Sequence, residues 1–468
     1  MGPCVVSASK SGAVSPSCSD IEIPSLLLEV CDVFDNKQYF KILLQANWYG
    51  QTKVLGLLYE LEETVLLSSD LYSREYRVSP EHVWEKMRDD YPLFYDEIGK
   101  MWWVTRYEDV KTVFSDHETF SSSTYDLTTG QVVGPTLISR DDYGHVVRRS
   151  IVAPDFVGKR LQTYEHLISV CAENLIQQFS NKSDVSLVRE FSSQLPVDVI
   201  SAILGMEGDG DLFRTWVTDM IMGLSGSEEL REKGLEANAS FCRHIAPLLE
   251  GADNGERNDH IAKIARAEID GQRLTKEEIT AFCGLLFIAG GETTDKAIAN
   301  MWWNVLSNSD IRDAVLNDIS LWDYAFTETM RRTPAVISED RFVTKPIELY
   351  GSEIKEGERI RACLGAAHLD PTVFADPLTF DLFRSDLHIG KENRSGVSKD
   401  SMRSGHFGFG LGKHFCIGYE LARKEAIMGS EMIIEKLGIP SLSKEQTGPT
   451  IQGNSFFAVK ELLVSFKP

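Results

Sequence analysis

The segment His406–Arg423, "HFGFGLGKHFCIGYELAR", surrounds one cysteine, Cys416, with four glycines and two histidines. A helix is predicted directly after it, over about Ile417–Leu437, because the helical pattern ends at Gly438. The N-terminus of that helix would point toward the sulfur, and backbone N–H groups there stabilise a thiolate. Glycine also lets the backbone approach a flat ligand closely. The segment therefore predicts a thiolate that binds a ligand, and the alternative is an ordinary buried cysteine.

The composition describes a chain that can form a large core and carries a strong negative charge. It has 468 residues, 43% of them hydrophobic, with 70 acidic and 48 basic residues and a formal charge of −22. Nucleic-acid binding is excluded because phosphate contacts need a basic surface. No apolar run of about 18 residues and no secretory leader occur, so we expect a soluble, cytoplasmic monomer without a membrane span. The eight cysteines contain no CxxC pair and are interpreted as reduced thiols.

The chain divides into three parts by composition. Residues 1–20 are rich in Ser, Gly and Pro, and we expect them to be disordered. Residues 21–78 form an N-terminal extension of unknown role, and residues 79–468 form the main domain. Helical patterns dominate this domain, so the predicted fold is mainly α with small β-sheets. The strand-like pieces are Lys100–Arg106, Arg341–Gly351 and Glu461–Phe466.

The clearest predicted element is a long helix. Thr275, followed three residues later by a glutamate, makes a capping box, and the helical pattern continues to Ser307, a length of about 48 Å. Gly290–Gly291 weakens the helix by about 1 kcal/mol per glycine, which indicates that space is needed there. Glu292–Thr294 then places polar groups in an apolar helix, where unpaired groups are costly. The alternative is a flexible kink with solvated polar residues.

From Phe409 the decisive segment has the pattern F-G-x-G-x-H-x-C-x-G. This pattern resembles the haem-binding loop of the cytochrome P450 family, the haem-thiolate monooxygenases. The resemblance implies the P450 fold, with haem b (iron protoporphyrin IX) between the long central helix and the helix after the cysteine. Cys416 would be the axial iron ligand, and such a thiolate promotes O–O bond cleavage. Other residues of this loop implied at the cofactor are Phe409, Gly410, His414 and Gly418.

The long helix also resembles the family. Its segment "AGGETT", residues 289–294, corresponds to the family pattern A/G-G-x-D/E-T-T. The resemblance implies a dioxygen groove at Ala289 and Gly290. It also implies that Glu292 and Thr293 deliver protons to dioxygen, which requires a carboxylate with access to water and a nearby hydroxyl.

Two further segments follow in the order typical of the family. In "ETMR", Glu328 and Arg331 have the i, i+3 spacing that would lock their helix against a meander loop. That meander is "HLDPTVFADPLTFDLFR", residues 368–384, ending at Arg384.

The two propionates of haem are anionic and need cationic or hydrogen-bonding partners. By resemblance, these partners are His145, Arg149, Arg341 and His414. The alternatives are surface charge for the arginines and a satisfied core residue for His145.

A substrate pocket follows from the same resemblance. Its predicted lining residues are Leu137, Ile138, Leu286, Val336, Ile337 and Phe456. They are apolar, so we expect an apolar or aromatic substrate. The alternative is that they are ordinary core residues.

The loop of residues 385–405 is longer than the family pattern and contains four basic residues, Lys391, Arg394, Lys399 and Arg403. Together with Lys413, Arg423 and Lys424 they predict a positive surface that would steer an acidic electron donor. The expected donor is a separate ferredoxin or flavodoxin with its NAD(P)H reductase, since no flavin or iron–sulfur pattern occurs in the chain. The alternative is a solvated loop.

The resemblance implies a monooxygenase that hydroxylates or oxidatively dealkylates a small organic substrate with O₂. A peroxide-driven peroxygenase or a haem-thiolate isomerase is a second interpretation. The carboxylate and hydroxyl of Glu292 and Thr293 argue against both, because peroxide-using relatives commonly lack this pair. A haem sensor without enzymatic activity is a third interpretation.

Overall fold

The computed structural model describes residues 66–224, 227–253, 259–387, 404–453 and 455–466. The predictions for residues 1–65, and those for the four basic residues of the 385–405 loop, lie outside this range. Within it, no helix is both long and apolar enough to cross a membrane.

Helices dominate this part of the chain, as the sequence predicts. The α-helices are α1 (Arg74–Val78), α2 (Glu81–Asp90), α3 (Tyr107–Ser115), α4 (Thr129–Val133), α5 (Tyr143–Val152), α6 (Gly158–Phe179), α7 (Leu195–Ile203), α8 (Gly210–Gly223), α9 (Glu228–Asp253), α10 (His260–Arg266), α11 (Lys276–Ser307), α12 (Ser309–Asn317), α13 (Trp322–Arg332), α14 (Leu364–Ala367) and α15 (Tyr419–Leu437). A short π-helix, Val188–Ser192, precedes α7.

Small sheets accompany the helices. The strands are β1 (Leu93–Asp96), β2 (Met101–Val104), β3 (Phe120–Ser121), β4 (Asp184–Ser186), β5 (Glu339–Val343), β6 (Ile347–Leu349), β7 (Ser352–Ile354), β8 (Arg359–Ala362), β9 (Ser441–Leu442), β10 (Thr450–Gln452), β11 (Phe456–Ala458) and β12 (Leu463–Ser465). The largest sheet has the order β1-β2-β8-β5-β3, and its β2–β8 pair is parallel. A three-stranded sheet has the order β4-β12-β9, and β6-β7 and β10-β11 are hairpins. Each strand-like piece predicted from the sequence contains at least one of these strands.

The long central helix is confirmed as α11, with the predicted start and end. The Thr275 hydroxyl accepts from the Glu278 amide, and the Glu278 side chain accepts from the Thr275 amide, which completes the capping box. Most of the helix is buried, because α7, α8, α13 and α15 pack around it. Most of its buried apolar side chains belong to the largest hydrophobic cluster of the described residues.

Gly291 has a packing role in this helix. A Cβ atom at this position would lie 3.0 Å from a methyl group of Val197 on α7 and 3.2 Å from one of Val217 on α8. These distances are too short for normal carbon contacts, which have their optimum near 3.5–4.0 Å. The close approach of three helices therefore explains this glycine, rather than a kink, since α11 is assigned as one uninterrupted helix.

Residues 66–78 pack with the main domain, whose start the sequence analysis places at residue 79. Leu71 and Tyr76 are buried at 6% and 4% exposure, in one cluster with Trp84 and Phe457. The Trp84 indole N–H donates to the Tyr76 hydroxyl at 3.1 Å. The compact domain therefore begins no later than Leu66, because these apolar side chains are needed to cover the sheet cluster.

A buried ion cluster fixes the end of α13 to the meander. Glu328 accepts from Arg331 at 2.7 and 2.8 Å and from Arg384 at 2.9 Å. The three residues are 1%, 0% and 7% exposed. The guanidinium groups of Arg331 and Arg384 thus share the Glu328 carboxylate in a site buried from water. The sequence motif "ETMR" contains only two of these three residues, so it shows only part of the arrangement.

Backbone carbonyl groups satisfy the remaining donors of the cluster. Arg331 donates to the carbonyls of His368, Pro377 and Thr379 at 2.7–3.0 Å. Arg384 donates to further meander carbonyls at 2.6–3.1 Å. A buried ion pair is tolerated only when such hydrogen bonds replace the lost water, and here they determine the path of the meander.

Replacing Glu328 with alanine is expected to lower the free energy of unfolding by about 3–5 kcal/mol, because the buried Arg331 guanidinium loses its counter-ion and Arg384 keeps only its ion pair with Asp386 at 3.3 Å. The measurement is urea denaturation of the purified protein followed by circular dichroism. Glu173→Ala is the control: it removes a pair with Lys436 whose side chains are 34% and 47% exposed, and it should cost less than about 1 kcal/mol. Equal losses in the two variants would contradict the assigned role.

Candidate active site

The Cys416 loop is closed by its own backbone. The Cys416 amide donates to the Phe409 carbonyl at 2.8 Å, and the loop then enters α15 through Gly418. Gly410 and Gly412 both have a φ of 69°, in the left-handed region that favours glycine. At Gly412 a Cβ atom would also lie 3.1 Å from the Phe114 carbonyl oxygen. The glycines of the decisive segment therefore allow a turn that other residues would strain.

The Cys416 thiol lies in a half-buried position at the N-terminal end of α15. Burial raises the pKa of this thiol, while the Gly418 amide and the Arg149 guanidinium act in the opposite direction. A bound metal ion deprotonates a coordinating thiol outright. The local N–H groups and cation are therefore placed to stabilise a metal thiolate.

Aromatic rings surround the loop beside the cysteine. The Phe409 ring centroid lies 6.1 Å from those of Phe326 and Tyr419 and 6.5 Å from that of Phe415. Phe326 belongs to α13, the helix of the ion cluster. The loop thus packs on the same helix that holds the meander.

Two imidazoles lie next to one another near the loop. The ring centroids of His145 on α5 and His414 are 4.5 Å apart. Burial lowers the pKa of His145 to about 3, with contributions from neighbouring positive charges, so this ring is neutral at pH 7. Within the described residues, both ring nitrogens of His145 and Nδ1 of His414 are buried without a hydrogen-bond partner. Buried polar groups normally have partners, so these three nitrogens indicate a polar ligand.

The other side of the His414 ring is occupied by Asp141. His414 Nε2 lies 2.8 Å from Asp141 Oδ1 and 3.1 Å from the Ser122 hydroxyl. Burial lowers the pKa of His414, and Asp141 partly offsets this. For Asp141, burial raises the pKa, but hydrogen bonds from His414 and Ser121 more than offset it, so its pKa lies below the usual range.

The two predicted arginines lie close to these histidines, and their positive charges act on the pKa of His414. Arg149 donates to the Phe415 carbonyl at 2.5 Å. Arg341 is 4% exposed, and its guanidinium carbon lies 5.3 Å from the Phe114 ring centroid and 5.8 Å from that of Tyr125. The structure therefore brings together the four residues predicted to hold carboxylates.

Helix α11 contributes an open face. Ala289 is exposed and Thr293 half-buried, whereas Leu286 and Phe287 one turn earlier are buried. The Thr293 hydroxyl donates to the Ala289 carbonyl at 2.6 Å. At Gly290, a Cβ atom would contact Ile200 of α7 at 3.7–3.8 Å, an ordinary packing distance. The smallest open side chain on this face is therefore Ala289, and a dioxygen role for Gly290 stays a prediction.

The Glu292 carboxylate is held by a cation that the sequence interpretation missed. Lys296, one turn later on α11, forms an ion pair with Glu292, and their side chains are 7% and 23% exposed. The Lys296 ammonium also lies 5.0 Å from the ring centroid of Phe456. The i, i+4 spacing of an acid and a lysine was the signal that could have revealed this pair.

A second acid lies behind this pair. The Ser192 hydroxyl donates to Asp295 at 2.6 Å. Burial raises the pKa of Asp295 to about 6, against the opposing effect of Lys296. One turn of α11 therefore carries two carboxylates and one ammonium group.

The predicted pocket residues differ in exposure. Ile138, Val336 and Phe456 are half-buried, and Val336 forms an isolated β-bridge with Phe456. Leu137 and Leu286 are 7% exposed and belong to the largest core cluster.

Ile337 packs away from this group, and its place in the pocket lining stays a prediction. Ile337 is 2% exposed and packs in the cluster that contains Trp84 and Met101. The physical reason is the alternation of side chains along extended backbone. If Val336 faces one side, Ile337 must face the other.

These residues fit a flat iron cofactor with two carboxylates. The thiol would hold the metal, the unpartnered imidazole nitrogens and the guanidinium groups would hold the carboxylates, and α11 contributes an open face at Ala289. Each feature is observed in this structure and independent of sequence motifs.

Comparisons with known proteins identify the family of the chain. The profile of the family described as Cytochrome P450 matches residues 243–466. A putative cytochrome P450 of Bacillus subtilis strain 168, YjiB, is 32% identical over 350 residues, which cover 73% of this chain and 83% of that protein. A steroid C26-monooxygenase of Mycolicibacterium smegmatis is 28% identical and covers 82% of this chain and 91% of its own length.

Solved structures show the same fold. The crystal structure of CYP109E1 from Bacillus megaterium in complex with testosterone has a TM-score of 0.74 and 28% sequence identity. The match covers 85% of this chain and all of that one. Fold and site together define a haem-thiolate protein. The chain belongs to the cytochrome P450 family, and its cofactor is haem b with its iron.

The predicted electron-donor surface carries less free charge than the sequence suggests. Lys424 pairs with Glu165 at 2.6 Å, and Arg423 pairs with Asp323. Lys413 donates to a backbone carbonyl group. In the described residues Arg423 and Lys424 are therefore balanced by acids, and Lys413 is held by a carbonyl group, a result that the spacing of basic residues cannot show.

Thr293→Ala is expected to raise the hydrogen peroxide released per NADH consumed toward its stoichiometric limit, because the hydroxyl nearest the open face of α11 is lost. The measurement uses the haem protein with a surrogate ferredoxin and reductase. Thr294→Ala is the matched control, since Thr294 is a neighbouring hydroxyl that is only 3% exposed. Equal peroxide yields in both variants would contradict a proton-delivery role for Thr293.

Proposed function

We propose that this protein is a monooxygenase that inserts one oxygen atom of O₂ into an apolar organic substrate, by hydroxylation or by dealkylation following hydroxylation. The second oxygen atom leaves as water, and NAD(P)H supplies the two electrons through a separate donor. The supporting observation is the Glu292 carboxylate one residue before the Thr293 hydroxyl on the open face of α11. A haem carrier or sensor has no need of such a pair.

The residues of the chain have distinct tasks in this proposal. Cys416 supplies the thiolate, and haem with this ligand activates O₂. His145 and His414 bind the haem carboxylates with Arg149 and Arg341. Each anionic carboxylate thereby gains charged or imidazole partners in a site shielded from water, where such hydrogen bonds are strong.

Proton delivery rests on α11. Thr293 Oγ1 holds a proton on the Ala289 carbonyl and can turn it toward the open face, while Glu292 resupplies it. Lys296 fixes the Glu292 side chain through the ion pair, so the carboxylate must exchange that partner when it moves a proton. Asp295, which accepts a hydrogen bond from Ser192, is a second acid next to this pair.

Steroids are the substrate class that we propose to test first. Two of the similar proteins, each 28% identical to this chain, are a steroid C26-monooxygenase and a P450 crystallised with testosterone. The half-buried Ile138, Val336 and Phe456 offer apolar contacts of the kind that a fused-ring substrate needs.

We further propose that a separate ferredoxin or flavodoxin with its NAD(P)H reductase delivers the electrons near Lys413, Arg423 and Lys424. A donor that docks there would have to compete with the existing ion pairs of Arg423 and Lys424. Cytoplasmic location and a monomeric state belong to the same proposal.

The thiolate itself can be tested optically. Reduced protein exposed to carbon monoxide is expected to show the Soret band typical of thiolate-ligated haem, and Cys416→Ser should lose it because an alcohol is a poor anionic ligand. Cys171→Ser, a half-buried free thiol on α6, should keep the band. Retention of the band in Cys416→Ser would contradict the ligand assignment. Thiolate ligation without substrate-dependent NADH consumption would favour the sensor.

Titration of the haem protein with testosterone is expected to shift the Soret band as the steroid displaces water from the iron. Val336→Phe should weaken this binding about 10-fold, since an added ring in a filled pocket costs about 1–3 kcal/mol. Ile337→Val is the adjacent control and should leave binding unchanged, because Ile337 faces the sheet cluster. If no steroid shifts the Soret band, the proposal of a steroid substrate is contradicted.

A further inference from the structure

Asp141 lies at the centre of a hydrogen-bond cluster beside the haem site. Its Oδ2 accepts from the Ser121 hydroxyl at 2.6 Å and from the Ser122 amide at 2.9 Å. Its Oδ1 accepts from the Ser122 hydroxyl at 3.0 Å and lies 2.8 Å from His414 Nε2. The Lys413 ammonium donates to the Asp141 backbone carbonyl.

The carboxylate of Asp141 is therefore saturated by the protein. A carboxylate offers about four acceptor positions, and the four contacts described above fill them. The Asp141 carboxylate thus has no free position at which it could accept another hydrogen bond. A direct contact with an anionic haem propionate would also be repulsive. Any effect of Asp141 on the cofactor has to pass through the groups it holds.

His414 is the group in this cluster that has a ring nitrogen left for a ligand. Its Nε2 is turned to Asp141, while its Nδ1 is buried without a partner among the described residues. The Asp141 contact thus determines which ring edge is directed away from the protein. Lys413, which neighbours His414, is tied to the same residue, so Asp141 fixes this part of the Cys416 loop at two points.

The neighbouring acid, Asp142, has a different task. Its side chain caps α5 by accepting from the His145 amide at 3.2 Å, and Asp142 itself is exposed. The two consecutive acids therefore act on different histidines: Asp141 orients the His414 ring, and Asp142 starts the helix that carries His145. The sequence "RDDYGH" alone does not separate the two roles.

We propose that Asp141 is a positioning residue for haem, which orients His414 toward a haem carboxylate and thereby controls how tightly the cofactor is held. This inference rests on the haem-binding role of His414. Partners that orient a cofactor-binding residue typically change cofactor affinity 10- to 100-fold when they are replaced. A merely structural tie between loops would instead change stability without a specific dependence on His414.

The test measures the rate at which haem leaves the purified holoprotein. An excess of a second haem-binding protein, prepared without its haem, captures the released haem. Asp141→Asn is expected to release haem at least about 10-fold faster than the wild type. Asp142→Asn removes the same charge one residue away and keeps a good helix cap, so its release rate should stay within about twofold. The midpoint potential of Asp141→Asn should also rise, since a nearby negative charge that opposes reduction is lost.

The same measurement in a His414→Ala background decides whether Asp141 acts through the histidine. If it does, the added Asp141→Asn substitution should change the release rate less than about twofold, because the ring to be oriented is gone. An undiminished effect in that background, or no effect in the wild-type background, would overturn the proposal.

A second variant guards against loss of folding. If Asp141→Asn yields no folded holoprotein, Ser122→Ala removes one hydroxyl that contacts both Asp141 and His414. It should still speed haem release, by about 3-fold for the loss of a hydrogen bond worth roughly 0.5–1 kcal/mol, and an unchanged rate would overturn the proposal. The thiolate band of the wild-type carbon monoxide complex separately reports whether the haem site itself is correctly assigned.

Discussion

The position of the Cys416 sulfur depends on a backbone hydrogen bond that closes its loop, from the Cys416 amide to the Phe409 carbonyl at 2.8 Å. The loop is held from outside by the meander, because His368 Nε2 accepts from the Phe407 amide at 2.7 Å. The meander in turn follows the guanidinium groups that share Glu328. The Cys416 thiol is thus placed by a chain of buried polar contacts, which are costly to break because each broken contact leaves a buried polar group without its partner.

The electrostatics of the site depend on a small group of cations and imidazoles placed together in this acidic chain. Arg149, Arg341 and two imidazoles meet on one side of the Cys416 loop, and three imidazole nitrogens there lack partners within the described residues. On α11 the only charge-balancing cation described beside Glu292 is Lys296. The site therefore offers positive and hydrogen-bonding groups that suit cofactor carboxylates, and on α11 a carboxylate restrained by an ion pair.

Local spacing carried much of the prediction. The capping box at Thr275 and the length of α11 follow from i, i+3 contacts, which need no knowledge of the rest of the chain. The Glu292–Lys296 pair was equally local and could have been found by the same rule. The burial of Leu66, Leu71 and Tyr76 and the packing of Ile337 could not, since both depend on a sheet cluster whose members are distant in sequence. Asp141 shows the same limit, because its partner His414 is 273 residues away.

The sequence by itself determined the chemistry: one cysteine in a glycine-rich turn before a helix, an acid and a hydroxyl in a long apolar helix, and the residue types that can hold carboxylates. Helix periodicity, helix caps and glycine turns depend on residues that are close together in the chain, so they can be predicted from the sequence alone. Only the tertiary structure decided which charges are paired, which apolar side chains stay open, and which ring nitrogen of His414 is left without a partner among the described residues. Those outcomes depend on desolvation and on partners brought together by packing, and neither is visible in a linear order of residues.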